Sequence, residues 1–377
     1  MNGYFDYNAT SPARPEVVEA VARVLRDTAG NPSSMHVGGR RARALIERAR
    51  EQVAVLVGVD PTTIVFTSGA TESNNLALRG FVRTHPRAVV AAPVFEHHSI
   101  VRTLDALEGE GRTVARLAVD EAGRIDPDEL AEVAGPEPCL LAIGAANGET
   151  GHVVDIDAAL AACRESTLVH VDAAQALGKI RFRMPERAAL LAASGHKFGA
   201  PAGIGILVVR AQAAATIVPQ LTGGPQENGL RAGTENLSGI VGMGEAAERS
   251  LAELDDEIAR LAALRDQLWS NVCGQVSDAL RLTPETGLPN TLTIAIGGVT
   301  ADVAVAALDL AGFQISTGSA CAAGAPEPSH VVAALGIATR YQAGVMRISL
   351  GRDTRPSDVD ALAGELVSAV ARARAAA

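Results

Sequence analysis

The sequence predicts an α/β protein with a mainly parallel seven-stranded sheet in a large domain and a smaller α/β C-terminal domain. Seven strand-like apolar runs, at 64–67, 88–92, 114–118, 139–145, 168–172, 190–193 and 204–209, are mostly separated by helical segments or long connections. That alternation gives a parallel sheet covered on both faces. Past Thr234 the texture changes to a long Ala/Leu/Glu/Arg-rich helical segment, roughly 235–276, and shorter αβ units come after it. A chain of 377 residues is long enough to bury a large core and to divide in two. The expected division is 13–250 for the large domain, with 1–12 and 251–377 forming the small one.

Taken in order, the first dozen residues read as extended and end at Ser11-Pro12. Pro15 then opens a helix, at the position where a proline ring suits the first turn. The loop Gly30-Asn31-Pro32-Ser33-Ser34 precedes an amphipathic helix over about 39–57. Arginines 40 to 50 interleave with Glu47 and Glu51 at helical spacing, which predicts a solvated helix face rather than a nucleic-acid patch. After the seven strands and the long helix come units at 291–296, 301–311, 314–316, 329–335 and 345–350, and a terminal helix from Ser357.

Composition removes several function classes. A net charge of −10 argues against nucleic acid as a direct partner. No apolar run reaches the eighteen or so residues of a membrane helix. The start Met1-Asn2-Gly3-Tyr4-Phe5-Asp6 lacks the basic and apolar regions of a signal peptide, so a cytoplasmic protein is expected. No Cys/His spacing suits zinc, and no metal is expected. Of four cysteines, Cys139, Cys163 and Cys273 sit in apolar or helical settings. Cys321 lies instead in the small-residue loop Ser319-Ala320-Cys321-Ala322-Ala323-Gly324, where a thiol is accessible.

The chemistry gathers around residues 168–198. The strand Leu168-Val169-His170-Val171-Asp172 ends on a carboxylate, at the sheet edge where α/β proteins bind ligands. Ser194-Gly195-His196-Lys197 places a lysine beside another apolar run. Although Lys and Arg total 33, two are lysines, Lys179 and Lys197. Arginine stays protonated, so an amine nucleophile has two candidates. Lys179 precedes Ile180-Arg181-Phe182-Arg183 and reads as a solvated turn, which favours Lys197. Thr67-Ser68-Gly69-Ala70-Thr71-Glu72 follows a strand and opens a helix, where free backbone N–H groups attract phosphate; a plain N-cap is the alternative. His97 and His98 end another strand, where they could cap a helix, face solvent or stack on a ring. Pyridoxal phosphate needs an amine, an acid facing its pyridine nitrogen and a phosphate cradle, and these stretches supply all three.

The chain resembles the cysteine desulfurases of the NifS/IscS type, class V aminotransferase-like enzymes of the PLP-dependent transferase fold type I. The resemblance rests on Asp6-Tyr7-Asn8-Ala9-Thr10, Gly30 to Ser34, Ser68 to Ser73, Glu96-His97-His98, His170 to Gln175, Ser194 to Lys197, Arg231-Ala232-Gly233-Thr234, Ser316 to Cys321 and Arg347 to Gly351. It implies a pyridoxal 5'-phosphate held by Lys197, which later shuttles protons, with Asp172 at the ring nitrogen, His97 stacked on the ring and helping with acid–base steps, Gln175 on the ring hydroxyl and Asn147 among the cofactor-binding residues. Ala70, Thr71, Ser194 and His196 would hold the phosphate, and Thr234 the phosphate of a neighbouring subunit. Asn31 and Arg347 would hold the carboxylate of L-cysteine, and Cys321 would take its sulfur as a persulfide for an acceptor protein. Homodimers are implied as well. In one place the chain departs from the family, which has two asparagines where this sequence reads Asn147-Gly148-Glu149. Either Asn147 shifts register or one contact is missing. A selenocysteine or cystine lyase shares the same chemistry, and a non-catalytic sulfur-transfer scaffold would share the fold.

Overall fold

The computed structural model describes residues 3–133, 137–318 and 329–375. Its helices are α1 (Pro15–Asp27), α2 (Val37–Val57), α3 (Ala70–Thr84), α4 (His98–Gly109), α5 (Pro127–Val133), α6 (Ile156–Ala162), α7 (Ala211–Ala214), α8 (Leu237–Cys273), α9 (Ala301–Leu310), α10 (His330–Ala334), α11 (Thr339–Gln342) and α12 (Pro356–Ala375). The strands of the larger sheet are β1 (Ile64–Thr67), β2 (Val89–Pro93), β3 (Thr113–Leu117), β4 (Cys139–Gly144), β5 (Leu168–Asp172), β6 (Leu190–Ser194) and β7 (Gly205–Val209). Those of the smaller are β8 (Ala279–Arg281), β9 (Thr291–Ile296), β10 (Ser316–Thr317) and β11 (Val345–Ser349).

The seven strands run in the order β1-β7-β6-β5-β4-β2-β3. Neighbours from β3 to β6 pair in parallel, and β7 is antiparallel to both β6 and β1. The expected sheet is therefore present, with one reversed strand. Strands β4, β6 and β7 are buried throughout their length, which is why they read as continuous apolar runs rather than alternating ones. Helices α3 and α4 cover one face, packing Leu76, Phe81, Ile100 and Leu104 onto Val90 and Leu140. Helix α2 and the first half of α8 cover the other, packing Ile46, Val53, Ile240 and Met243 over Ile143, Val171 and Ile206.

Helix α8 belongs to two cores. Its second half places Leu261, Leu264, Leu268 and Val272 against β9, β11, α9 and α12. The N-terminal segment joins that second core through Phe5, and its backbone bridges Tyr4 to Gln314 and Asp6 to Ser349. From there it turns toward the large sheet, so residues 8–11 lie between the two cores. Among the described residues no helix is long and apolar enough to cross a membrane.

The solvated face expected for arginines 40 to 50 holds for Arg40, Arg41 and Arg48 but fails at Arg50. Arg50 is buried and forms a two-pronged ion pair with Glu227, Nη1 to Oε2 at 2.9 Å and Nη2 to Oε1 at 2.8 Å. Glu227 Oε2 also accepts the Phe66 N–H at 2.7 Å, so the pair braces the end of β1. Helical spacing showed the charge pattern but not the partner, which lies 177 positions away. Glu227→Gln should strand the guanidinium and cost about 3–5 kcal/mol of stability in urea unfolding. A loss below about 1 kcal/mol would contradict this role.

Candidate active site

The ends of five parallel strands supply the site. After β1 comes the turn Ser68-Gly69, after β2 the segment Glu96-His97, after β4 Asn147-Gly148, at the end of β5 Asp172, and after β6 the short turn Gly195–Lys197. Such carboxyl ends are where α/β sheets present ligand-binding groups. Together they wall a cleft of about 450 Å³. Its lining includes Ala70, Thr71, His97, Asn147, Asp172, Gln175, Ser194, His196, Lys197 and Arg347.

The Lys197 amine donates to the carbonyls of Asn8 (2.7 Å) and Ala9 (3.0 Å), held between the two cores. Asp172 is buried; its Oδ1 accepts from Ala174 N (2.9 Å) and its Oδ2 from Asn74 Nδ2 (2.8 Å). Asn74 Oδ1 takes the His170 Nε2–H at 2.7 Å, which leaves His170 Nδ1 buried without a partner. Burial pushes the His170 pKa down to about 4, so this chain of groups meets Asp172 in neutral form.

At the other end of the cleft, α3 begins at Ala70 with no side chain capping it. The backbone there is pressed against β7: a Cβ on Gly205 would lie 2.5 Å from the Gly69 Cα. Uncapped N–H groups on a fifteen-residue helix make an anion seat. Ser194 and His196 stand beside it, and burial, then Lys197 and Lys179, lower the His196 pKa to about 4.

His97 caps α4, as one of the sequence readings has it, and also lines the cleft. It is not on an extended segment: the His97 and His98 rings sit 6.4 Å apart at a helix start. His97 Nδ1 accepts the Ser99 N–H (3.1 Å), which places the ring proton on Nε2. Burial lowers the His97 pKa, opposed by Asp172 and aided by Lys197. Glu96, without a role in the sequence reading, is buried behind it and accepts the Gly144 N–H at 2.8 Å.

Burial raises the Glu96 pKa from 4.5 to about 8, with Asp172 adding to it and the Gly144 N–H opposing. A carboxyl raised on folding lends stability that is fully present below its unfolded pKa and lost as pH climbs to the folded one. Glu96→Gln should therefore gain on the wild type between pH 4.5 and about 8, by up to about 5 kcal/mol. Urea unfolding of both proteins at pH 5 and pH 8 reads the difference; a pH-independent gap would contradict it.

The departure at Gly148 has a geometric counterpart. A Cβ there would lie 2.6 Å from Gln175 Nε2, so the Gln175 amide occupies the space a side chain would need. Asn147 does not shift to replace it. Its Nδ2 donates to Phe95 O (2.9 Å), and its Oδ1 accepts the N–H groups of Glu149 (2.9 Å) and Thr150 (3.0 Å). Arg347 is buried and holds Asp6 Oδ1 (2.7 Å) and Gly148 O (3.2 Å), with its Nε lacking a partner among the described residues.

Two other expected residues are exposed on this chain. Asn31 is exposed and its Oδ1 accepts the Ser33 N–H within its own loop (2.8 Å); Thr234 is exposed before α8. Cys321 lies outside the described residues. Cys139 and Cys163 are buried, the former with its thiol pushed up to about 12 by burial.

The reading of Lys179 as a solvated turn is wrong. Lys179 is 8% exposed, and its amine donates to Asn8 Oδ1 (2.8 Å) and to Gln175 Oε1. The basic run after it suggested solvent, but Asn8 and Gln175 enclose the amine. Asn8, Asn74, His170 and Glu96 were likewise given no role by sequence reasoning. A polar residue inside an apolar strand, as His170 is, was the available signal.

A lysine amine, a buried acid and an uncapped helix end in one cleft define an α/β enzyme built for a phosphorylated cofactor. The aminotransferase class-V family model matches residues 3–362. Cysteine desulfurase IscS of Dictyoglomus turgidum is 39% identical over 363 residues, spanning 95% of this chain and 91% of the relative. A cysteine desulfurase of Trichormus azollae is 40% identical over 377 residues, spanning 99% and 94%. Among solved structures, a NifS-like protein superposes with a TM-score of 0.92 at 33% identity, covering 99% of this chain and 100% of that one. SspA in complex with cysteine superposes at 0.81 with 31% identity, covering 93% and 99%. The chain belongs to the aminotransferase class-V family, among the cysteine desulfurases of the IscS/NifS type. That family implies pyridoxal phosphate.

Proposed function

We propose that this chain binds pyridoxal 5'-phosphate and converts L-cysteine to L-alanine, passing the sulfur through a persulfide on Cys321 to an acceptor protein. The observation that carries this reading is the convergence of Lys197, Asp172 and the uncapped start of α3 on one cleft. The residues fit the cofactor: an amine held by two carbonyls, a buried carboxylate at the opposite wall, and a seat for phosphate.

When bound, the cofactor supplies an electron sink for the substrate's α-carbon. Lys197 holds it and moves protons to and from the substrate carbons. Asp172, held in place by two N–H donors, would face the pyridine nitrogen and keep it protonated. His97, neutral with its proton on Nε2, stacks on the ring and donates. Ala70, Thr71, Ser194 and His196 surround the phosphate, and Gln175 bonds the polar edge of the ring. Asn147 acts by holding the wall at its turn.

Arg347 turns its guanidinium to the substrate carboxylate, with the unpartnered Nε as the site's vacant donor. Asn31 would join it in holding that carboxylate. The Cys321 thiolate attacks the sulfur of the bound cysteine. The Cβ–S bond breaks with its electron pair going to carbon, and a proton added at Cβ completes alanine.

A second copy of the chain forms the functional unit in this reading. Exposed Thr234 would reach the neighbouring subunit's phosphate, and exposed Met35, Val37 and Leu221 supply apolar contact area. We take the domain division to fall at about residue 250, within α8, which contributes to both cores. The reading is tested by incubating the protein with cysteine and measuring alanine release together with extra sulfur on the Cys321 peptide. Alanine without added sulfur would point to a lyase instead.

A further inference from the structure

The two lysines of this chain are attached to one asparagine. Asn8 is 1% exposed, and its backbone carbonyl accepts from Lys197 Nζ (2.7 Å) and Gln175 Nε2 (3.0 Å). Its side-chain Oδ1 accepts from Lys179 Nζ (2.8 Å) and Asn290 Nδ2 (3.0 Å). Its Nδ2 donates to Gly148 O (3.1 Å) and Thr291 Oγ1 (2.8 Å). Lys179 donates to the oxygens of both amides and so reinforces the orientation that Gly148 O and the Asn8 carbonyl impose by accepting from Asn8 Nδ2 and Gln175 Nε2. With Lys179 donating, Gln175 must turn its Oε1 to the lysine and its Nε2 toward Asn8 and the cleft. Without it, Gln175 Oε1 loses that donor, and the bond from Nε2 to the Asn8 carbonyl is left to hold the amide.

We propose that Lys179 is a positioning residue for the cofactor-bearing amine, acting through Asn8 and Gln175. It rests on Lys197 being the residue that carries the cofactor. The groups facing Lys179 are Lys197, Arg347 and Asp6, with His196 beyond. A small cavity of about 60 Å³ on its other side is walled by Arg14, Glu253, Glu257 and Arg352. Burial first, then Lys197 and Arg347, hold the Lys179 amine well below the ordinary lysine range. A lowered pKa in this place lessens the charge that Lys179 sets beside Lys197.

Methionine has similar length and volume but no donors, whereas arginine keeps donors at that position. If Lys179 only fills space, Lys179→Met will match the wild type in thermal melting and in cofactor retention. The proposal expects Lys179→Met to melt normally yet release added pyridoxal phosphate about 10–100-fold more readily. It also expects the pH profile of the cofactor's visible band to move, and Lys179→Arg to recover part of the retention. Unchanged retention and profile in a folded Lys179→Met protein would overturn it.

A second measurement needs neither functional variant nor cofactor. With two lysines, the full chain labelled with ¹³C-lysine gives two ε-carbon titrations. The signal missing from Lys179→Arg identifies Lys179, which should titrate well below an ordinary lysine. A Lys179 signal titrating as a solvated lysine, near about 10.4, would overturn the proposal even if Lys197 carries the cofactor. The reverse result, Lys179 titrating low and no cofactor on Lys197, would sink the functional reading while leaving the shared-asparagine contact intact.

Discussion

Lys197→Ala should release the cofactor readily and lose cysteine turnover. Proton transfer by a positioned side chain alone contributes about 10²–10⁴-fold, and Lys197 also anchors the cofactor. Lys197→Arg should fail as well, because guanidinium stays protonated and cannot form the covalent attachment. Lys179 remains in both variants, with its amine still bound to Asn8, which makes the pair a sharp comparison. Alanine release assayed with saturating pyridoxal phosphate checks both. Turnover within tenfold of wild type in either variant would assign the chemistry to another group.

The second large effect is expected at Cys321. Cys321→Ala should keep the bound cofactor and its colour while cysteine desulfuration falls by more than about 10³-fold, the scale on which removing a nucleophile acts. Cys139 is buried, so it cannot stand in for the missing thiol. Cysteine turnover measured alongside cofactor absorbance separates the two roles. Loss of colour together with turnover would mean that residue 321 supports the fold rather than the transfer.

Much of this site is legible in the sequence, because its parts lie at the ends of buried strands. The runs ending at Thr67, Asp172 and Ser194 are largely apolar, and each gives way at its end to small and polar residues. That boundary is visible in the order of residue types, so Ser68 to Thr71, Asp172 and Lys197 could be chosen. The supporting layer was not legible. Lys179 and Asn8 are 171 positions apart, and Asn74 meets Asp172 across 98. Burial of a polar group depends on such distant partners, whereas local pattern shows the flanking residues alone. The Ile180-Arg181-Phe182-Arg183 run misled for that reason, and Arg50 did likewise because Glu227 is contributed by a distant loop. Asn147 shows a third limit: it lines the cleft, and the bonds by which its amide closes its own turn could not be read from the sequence.

The most direct test of the central claim is to load the protein with pyridoxal 5'-phosphate, reduce it with borohydride and map the modified peptide by mass spectrometry. The account predicts a reduced pyridoxyl group on Lys197 and an unmodified Lys179. A label on Lys179, or on neither lysine after full loading, would contradict it.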